Sequence, residues 1–244
     1  FPHYVDALEA GRINGIPVLR FTRESLTTAA LDADHTFGHA AGAIAMERAI
    51  ALAEKSGVGL VSVSNSTHFG AAAYFGLMAA RRDMIGLACT HATPHVLYPG
   101  ACKPTLGPNA LCFTAPVEGE EPFCLDMATS AVTFNRLEMV RAAGGVIEPG
   151  WGADGDGTPS TDPARITHLF PIGGYKGYGL AMMLDIVCGM LSSMPVGADV
   201  SAMYGVPLHQ KRRLGHFFGA IAVSAFEDVR TFKARMRTYC DGMR

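Results

Sequence analysis

Short and long apolar stretches alternate as far as residue 89, and this order limits the fold more than any other feature of the sequence. Three short stretches rich in apolar and β-branched residues are predicted strands: residues 26–31, 58–63 and 84–89. Residues 39–56 and 71–82 carry apolar side chains at helical spacing, and Gly57 stands where a helix commonly ends in a left-handed residue. The alternation is typical of an α/β fold in which helices flank a central, largely buried mixed sheet.

The rest of the chain continues the same mixture of elements. Strands are predicted at 111–115, 123–125 and 215–223, and helices at 131–143, 177–191 and 227–239. Residues 91–108 and 149–163 are rich in Pro, Gly and other turn residues, but the apolar content of the first segment favours an ordered conformation. No repeat or linker interrupts the chain, so residues 1–244 are predicted to form a single unit.

Composition excludes several classes of protein. With 49% hydrophobic and 17% charged residues, the chain is too apolar to stay disordered and long enough to bury a core. Twenty Lys and Arg against 22 Asp and Glu leave a net charge of −2, and the longest cationic run is residues 211–213. A nucleic-acid partner is therefore not expected, and a small specific ligand is the better expectation.

Cysteine usage and hydropathy suggest where such a chain works. The six cysteines form no CxxC pair and mostly stand in apolar patterns, so free thiols and a reducing cytoplasm are expected. The first residues lack the pattern of a secretory signal. The most apolar helix, residues 178–194, carries Asp185 and falls short of the ~20 residues that span a bilayer. It is predicted to be a core helix, with Met182, Met183 and Met190 filling space in the core, and no membrane association is expected.

The common nucleotide and metal motifs are absent. The sequence has no GxGxxG and no GxxxxGK[ST], which excludes the Rossmann fingerprint and the Walker loop. Residues 152–157 (GADGDG) lack the alternating oxygen ligands and terminal Glu of a calcium loop. His91 and His95 are four residues apart, but Thr93 and Pro94 argue against a helical zinc pair. No metal site is predicted.

His68 is the first candidate for chemistry. It lies in the polar loop 64–70 (SNSTHFG), between a predicted strand and a predicted helix, where catalytic groups are often held on a rigid scaffold. An imidazole with a near-neutral pKa can give or take a proton at physiological pH. From spacing alone, the structural interpretation is favoured: His68 would cap the next helix or bond a neighbouring carbonyl.

A glycine-rich string, residues 173–180 (GGYKGYGL), precedes the most apolar helix. Four glycines in seven residues let backbone amides approach an anion at a helix N-terminus, and Lys176 adds a cation. Tight helix packing with a solvated Lys176 explains the string equally well. Asp126 (LDMATS) follows an apolar strand and precedes a helix, so it is expected to be an N-cap, with a ligand hydroxyl as the other partner considered.

Five segments occur together in a recognisable order. They are NSTHFGAAAYFGLMAA (65–80), LGPNA (106–110), LDMATS (125–130), DGTPSTDP (156–163) and GGYKGYGLAMMLDI (173–186). In this order they resemble the malate/L-lactate dehydrogenase family, which is distinct from the Rossmann-type enzymes and includes ureidoglycolate and sulfolactate dehydrogenases. The resemblance covers essentially the whole chain, and residues 194–205 and 214–221 are most similar to the ureidoglycolate dehydrogenase branch.

The resemblance implies a fold, a cofactor and a reaction. It implies a non-Rossmann α/β fold, a homodimer with NAD or NADP bound near the subunit interface, and hydride transfer between nicotinamide and a small 2-hydroxy or 2-oxo acid. His68 corresponds to the family's acid–base histidine. The implied cofactor-binding residues are Ala92, Asp126, Met127, Ala128 and Lys176, and the implied substrate-binding residues are Tyr4 and Asn109.

Several positions depart from the family pattern. His91 and Ala92 stand for the usual Asn-Ser, which removes a hydroxyl expected at the cofactor, and Pro108 stands for a Thr. The Ser-His-Gly segment and Arg that the family carries ahead of the position of Phe1, and its extended C-terminal segment, are not in this sequence. We expect either a longer full protein or a degenerate relative with impaired binding. A cyclic imine reductase of the same family and an inactive scaffold are the alternative functions.

Overall fold

The computed structural model of the chain describes residues 2–98 and 100–244, so Phe1 and Pro99 lie outside the described residues. The helices are α1 Pro2–Glu9, α2 Gly38–Ser56, α3 Ala72–Ala80, α4 Phe134–Ala142, α5 Tyr175–Asp185 and α6 Val229–Asp241. The strands are β1 Arg20–Glu24, β2 Thr28–Asp32, β3 Val58–Ser66, β4 Met84–Thr90, β5 Val96–Leu97, β6 Pro104–Leu106, β7 Ala110–Ala115, β8 Phe123–Ala128, β9 Gly152–Ala153, β10 His168–Leu169 and β11 Leu214–Ala222. A single π-helical turn, Ile186–Met190, continues α5.

A seven-stranded mixed sheet forms the centre of the fold. Its strand order is β1-β2-β3-β11-β4-β7-β8. The β2–β3 pair is parallel and the other neighbouring pairs are antiparallel, so the predicted mixed α/β class is confirmed. Strand β11 comes from late in the chain and lies between β3 and β4, and in this position it backs the loop that carries His68.

The main hydrophobic core lies between this sheet and helices α2 and α3. Alternate residues of β3 and β4 are buried against these helices, as the period-2 pattern predicts. The core side chains with almost no exposure include Met46, Ile50, Val61, Phe75 and Phe218. A smaller cluster forms around Leu137, Ile166 and Leu169, beside a second sheet of order β6-β5-β10-β9.

Several element boundaries differ from the sequence-based expectation. Strand β1 was not expected because its RFTRE sequence is exposed throughout and has no apolar alternation, so pairing with β2 alone forms it. Part of the irregular segment 91–108 forms β5 and β6. Strand β3 runs on to Ser66, which shortens the predicted loop, while Gly57 ends α2 with a φ of +84°, as expected.

The prediction of a buried core helix after Tyr178 is wrong. Ala181 and Leu184 are buried, but one side of α5 and of the π-helical turn is open. The large apolar side chains on that side are 37–61% exposed: Leu180, Met182, Met183, Ile186, Met190 and Leu191. Met182, Met183 and Met190, which were expected to fill space in the core, are therefore about half exposed. In residues 2–98 and 100–244 there is no helix whose length and apolar character would allow it to cross a membrane.

Candidate active site

His68 lies in a short loop that is held rigidly by its neighbours. The loop joins β3 to α3 and faces the first turn of α2. Thr67 Oγ1 accepts a hydrogen bond from Gly38 N and donates to the Thr36 carbonyl, both at 3.0 Å. A Cβ on Gly38 would come within 2.3 Å of the Thr67 carbonyl oxygen, so only glycine allows α2 to begin this close to the loop. The predicted loop position of His68 is confirmed.

The ring of His68 faces Tyr4 of α1. Tyr4 Oη lies 2.6 Å from His68 Nδ1, across 64 residues of sequence. Burial, with a smaller contribution from Tyr204, raises the pKa of Tyr4, so the phenol stays protonated at neutral pH. The structural interpretation, in which His68 caps α3 or bonds a neighbouring carbonyl, is not what the structure shows. His68 is instead presented at one end of a polar site.

Burial is the main cause of an unusual protonation state at His68. Burial, together with the smaller effects of Arg212, His39 and His3, lowers the pKa of His68 to about 4. The ring of His39 lies 6.1 Å from the His68 ring between centroids. At neutral pH the imidazole of His68 is therefore uncharged and able to accept a proton.

Arg212 is the site residue that the sequence interpretation missed. It is only 4% exposed, and its Nη2 donates to Thr93 Oγ1 and to the Ser201 carbonyl, both at 3.0 Å. Its Nε is buried without a partner, and within residues 2–98 and 100–244 no carboxylate pairs with it. Burial and Arg12 lower the pKa of Arg212 to about 10, so the guanidinium stays charged at neutral pH. The only signal in the sequence was its position two residues ahead of the apolar strand β11.

Arg12 has a different task, although it is 1% exposed and lies near Arg212. Its guanidinium donates to the carbonyls of Met203, Pro207 and Gln210 at 2.9–3.0 Å. These bonds hold the 203–210 loop beside the His68 site. Tyr204 of this loop lies over His3, with 4.8 Å between ring centroids. Arg12 thus shapes a wall of the site, and its donors are taken by backbone oxygens.

Asp126 is a helix cap, but of a different helix from the one expected. It lies within β8, and its Oδ2 accepts a hydrogen bond of 2.8 Å from Ala73 N in the first turn of α3. The following helix, α4, is capped by Thr133, which accepts from Arg136 N. The N-cap residue of α3 is Ala71, which has no side-chain oxygen, so Asp126 supplies the missing acceptor from across the sheet. Met127 and Ala128 are the half-buried residues that end β8.

Lys176 stands in the first turn of α5, exposed, behind two glycines in left-handed conformation. Gly173 and Gly174 have φ values of +58° and +64°, and a Cβ on either would meet nothing within 4 Å. A Cβ on Gly177 would lie 2.1 Å from the Ile172 carbonyl oxygen, so this glycine permits the tight start of α5. In the described part of the chain no carboxylate forms an ion pair with Lys176. The geometry at Gly177 supports the tight-packing interpretation of the string, whereas Gly174 N already donates to the Pro171 carbonyl at 3.3 Å.

Backbone contacts connect the three sequence-predicted residues His68, Asp126 and Lys176. The His68 loop leads into α3, whose first turn is bound by Asp126. Strand β8 continues to Thr129, whose carbonyl accepts from Ile172 N at 2.9 Å, four residues before Lys176. These bonds link the three segments one to the next, and β11, β4 and β7 lie between β3 and β8 in the sheet.

Comparison with known proteins shows which family the chain belongs to. A family model described as malate/L-lactate dehydrogenase matches residues 1–244. The chain belongs to the malate/L-lactate dehydrogenase family. A malate dehydrogenase of Pyrococcus abyssi is 38% identical over 243 residues, which are 96% of this chain and 66% of that protein. The ureidoglycolate dehydrogenase (NAD(+)) of Escherichia coli K12 is 35% identical over 234 residues, 96% of this chain and 67% of that protein.

The fold is shared with solved structures of the same family. The crystal structure of malate dehydrogenase from Entamoeba histolytica aligns with a TM-score of 0.92 and 34% identity, over 99% of this chain and 70% of that one. The chain thus spans about two thirds of the length of these relatives.

Asn109 occupies a position that this family resemblance had linked to substrate, but its geometry is structural. It is fully buried; its Oδ1 accepts from Ala92 N and its Nδ2 donates to the Ala181 carbonyl, both at 2.9 Å. The amide is thereby committed on both sides, and direct contact with substrate is not supported. Asn109 joins the half-buried Ala92, just past β4, to the middle of α5, and so helps to position that helix.

His91, which departs from the family's usual Asn, also has a structural environment. It is 1% exposed, its Nε2 accepts from Gly215 N at 2.8 Å, and its Nδ1 lies 3.4 Å from Asp185 Oδ1. It lies outside any helix, so it cannot form the helical zinc pair with His95. No group of three or more His, Cys, Asp or Glu side chains suited to a metal occurs in the described ranges.

Proposed function

We propose that this family member is an NAD(P)-dependent oxidoreductase that transfers a hydride between nicotinamide and a small 2-hydroxy or 2-oxo acid. One observation carries the proposal: Arg212 is a buried guanidinium with an unpaired Nε and, in residues 2–98 and 100–244, no acidic partner, and its charge acts on the uncharged imidazole of His68. The guanidinium can bind the carboxylate of such an acid, and the imidazole can exchange a proton with the hydroxyl or carbonyl next to it.

His68 acts as the acid–base. In the oxidation of a hydroxy acid, His68 Nε2 accepts the hydroxyl proton while Nδ1–H donates to Tyr4 Oη, 2.6 Å away. The same proton returns to the carbonyl oxygen in the reverse reaction. Tyr4 orients the ring and lies at the edge of the substrate site, which extends its expected role as a substrate-binding residue.

Arg212 holds the substrate carboxylate. Its Nε is buried without a hydrogen-bond partner among the described residues, while Nη2 is fixed by Thr93 and Ser201. A carboxylate there would complete the hydrogen bonds of a charge that burial otherwise leaves unsatisfied. Such a contact favours a 2-hydroxy acid over a simple alcohol.

The cofactor is held by the segment from β8 to α5. The residues proposed for it are Ala92, Asp126, Met127, Ala128 and Lys176. Nicotinamide, when bound, supplies or accepts the hydride. The fit is supported by Lys176, a cation in the first turn of α5, where a helix N-terminus suits a pyrophosphate. Asp126 keeps Oδ1 for a hydroxyl of the ligand while Oδ2 caps α3. NAD and NADP both remain candidates.

The working form is proposed to be a homodimer of a single catalytic region in the cytoplasm. Support for the dimer comes from the apolar side chains exposed along α5 and its π-helical turn. Their burial in a subunit interface would be favourable, because contact of apolar surface with water is not. Support for a reducing location comes from the six free cysteines. The proposed partner is the small acid itself, and no contact with nucleic acid or membrane is proposed.

A cyclic imine reductase is the second candidate function. The observation that favours it is the low pKa of His68, about 4, which leaves little imidazolium at neutral pH to protonate a carbonyl. A cyclic iminium already carries its proton, so its reduction needs no acid from the protein. Arg212 would bind the carboxylate of either substrate.

Titration and a substrate panel test the proposal. NADH and NADPH are titrated against the full-length gene product by nicotinamide fluorescence, and malate, lactate, ureidoglycolate and a cyclic imine 2-carboxylate are then compared by hydride transfer. Saturable binding with turnover of a hydroxy acid is expected. Turnover of the imine alone would select the reductase. Failure of both dinucleotides to bind at high micromolar concentration would leave the inactive scaffold.

A further inference from the structure

His216 is a buried histidine that the proton transfer proposed above does not use. It lies on β11 with no exposed surface. Its Nδ1 is 2.8 Å from Thr90 Oγ1, and its Nε2 is 2.8 Å from Ser66 Oγ and 3.1 Å from the Thr67 carbonyl oxygen. Both ring nitrogens therefore have partners, and two of the three partners belong to the end of β3.

His216 contacts the residues that precede and follow His68 in the sequence. Ser66 and Thr67 precede it, and the ring of Phe69, which follows it, stacks on the His216 ring at 4.7 Å with planes 15° apart. Phe69 is 2% exposed and Thr67 is 3% exposed, whereas His68 between them faces the site. The residues that flank His68 are thus fixed to His216, whereas the His68 ring itself faces the proposed substrate site.

The backbone of β3 is irregular just where it meets His216. Leu214 pairs with Ser66, whereas His216 pairs with Val63, so β3 uses one more residue than β11 across this step. Asn65 lies in the extra length with a φ of +50°. Such a bulge turns the following residues out of the strand line, which is how bulges beside active sites re-aim a side chain.

We infer that His216 is a positioning residue for His68: its Nε2–H holds the Thr67 carbonyl and thereby sets the direction in which the His68 ring is presented. This inference rests on the proposed function of His68 as acid–base. It extends that proposal to a residue outside the site, since His216 acts through the loop and does not touch the substrate.

The tautomer of His216 follows from its partners. The contact with the Thr67 carbonyl oxygen, which can only accept, assigns the proton to Nε2; Nδ1 then accepts from Thr90 Oγ1, whose hydroxyl also lies 3.0 Å from the His91 carbonyl oxygen. Burial, with smaller contributions from His91, His68 and Arg212 and against the opposing effect of the Thr67 hydrogen bond, lowers the pKa of His216 to about 3, so this uncharged form persists at neutral pH. The bond to Thr67 is therefore present whenever the enzyme works.

Two substitutions of similar polarity separate positioning from simple packing. The amide nitrogen of Gln reaches as far as His Nε2, so His216→Gln can still donate to the Thr67 carbonyl. The shorter Asn side chain reaches only as far as Nδ1, so His216→Asn keeps the hydrogen bond to Thr90 and loses the hydrogen bond to the Thr67 carbonyl of the His68 loop. Thr114→Val is the matched control, because Thr114 is a fully buried residue whose Oγ1 donates to the Gly76 carbonyl, away from the His68 loop.

Two readouts are measured on each folded variant: the pH titration of the His68 imidazole by NMR, and kcat and KM for hydride transfer. For His216→Asn we expect the pKa of His68 to rise from about 4 toward 6.5, because a loosened ring regains water. We expect kcat to fall ~10-fold or more, as displaced catalytic groups do, with KM for the dinucleotide within ~2-fold. His216→Gln and Thr114→Val should keep the wild-type titration and stay within ~3-fold of its kcat.

The inference is overturned if His216→Asn keeps the wild-type titration of His68, or if the Asn and Gln variants change equally. If the wild-type protein itself shows no oxidoreductase activity, the proposed function is refuted instead. The NMR titration would still decide whether His216 positions His68. Should neither variant fold, the ¹⁵N shifts of wild-type His216 decide: an Nε2–H tautomer supports the inference, and an Nδ1–H tautomer contradicts it, because Thr67 O cannot donate.

Discussion

Tyr4 Oη lies 2.6 Å from His68 Nδ1 and links the first helix of the chain to the loop after β3. The contact leaves Nε2 as the ring nitrogen that meets the substrate, because Nδ1 is occupied. It also places Tyr4, which the family resemblance linked only to substrate binding, in contact with the imidazole that is proposed to transfer the proton. The orientation of the acid–base thus depends on an element at the far end of the sequence.

Replacement of Tyr4 by Phe should therefore lower turnover without removing the fold. Loss of the hydroxyl leaves Nδ1 without its oriented partner, and we expect kcat to fall ~10–10²-fold, as for other groups that orient a catalytic histidine. Steady-state kinetics of Tyr4→Phe measure this. Tyr239→Phe on the exposed side of α6 is the control, and equal kinetics for the two variants would contradict the assignment.

Removal of the charge at Arg212 should change both affinity and pH dependence. The guanidinium lowers the pKa of His68, so Arg212→Met should raise that pKa from about 4 toward, but not to, 6.5, since burial remains the larger cause. Oxidation needs uncharged His68, so the rising limb of kcat/KM against pH should move to higher pH. The KM for the acid should rise ~10²-fold, as when a charged hydrogen bond is lost. The exposed neighbour, in Arg213→Met, should change neither quantity.

The fold class and the helices α2 and α3 could be predicted from local patterns, because residues buried on one face of a helix or strand recur at a regular spacing in the sequence. Helix α2 ends at Gly57 as expected, and the His68 loop lies where polarity indicated. Arg212 could not be found in this way, since its burial arises only when β11 enters the sheet between β3 and β4. Asp126 was assigned to the helix that follows it in sequence, whereas its real partner, Ala73, lies 53 residues away. The methionines of α5 were placed in the core because periodicity shows which residues share a face and not what covers that face.

Asp126 should contribute to stability through its cap on α3. Asp126→Ala removes the acceptor of the Ala73 amide and should lower the free energy of unfolding by ~1 kcal/mol, while Asp126→Asn keeps an oxygen there and should lose less. Denaturant titration of the two variants measures the difference. Thr133→Ala, which uncaps α4 instead, should cost a similar amount without affecting dinucleotide binding. Identical stability of the Ala variant and wild type would show that the bond does not cap α3.

His216 should make the protein sensitive to acid. Its pKa is about 3 in the folded chain, against an ordinary value of 6.5, so the unfolded chain takes up the proton first as pH falls. The stabilising contribution is complete above pH 6.5 and is lost between pH 6.5 and 3, at up to ~1.4 kcal/mol per pH unit. His216→Gln should flatten the plot of unfolding free energy against pH by about one proton. An unchanged slope would mean that His216 titrates normally.

The measurement that bears most directly on this account is hydride transfer by His68→Ala, made in the full-length protein at neutral pH. We expect turnover of the hydroxy acid to fall at least ~10²-fold, as on removal of a general base, while nicotinamide binding by fluorescence stays within ~3-fold of wild type. Turnover equal to that of wild type would contradict the account, because the imidazole that Tyr4 orients and burial keeps uncharged would then have no part in the reaction.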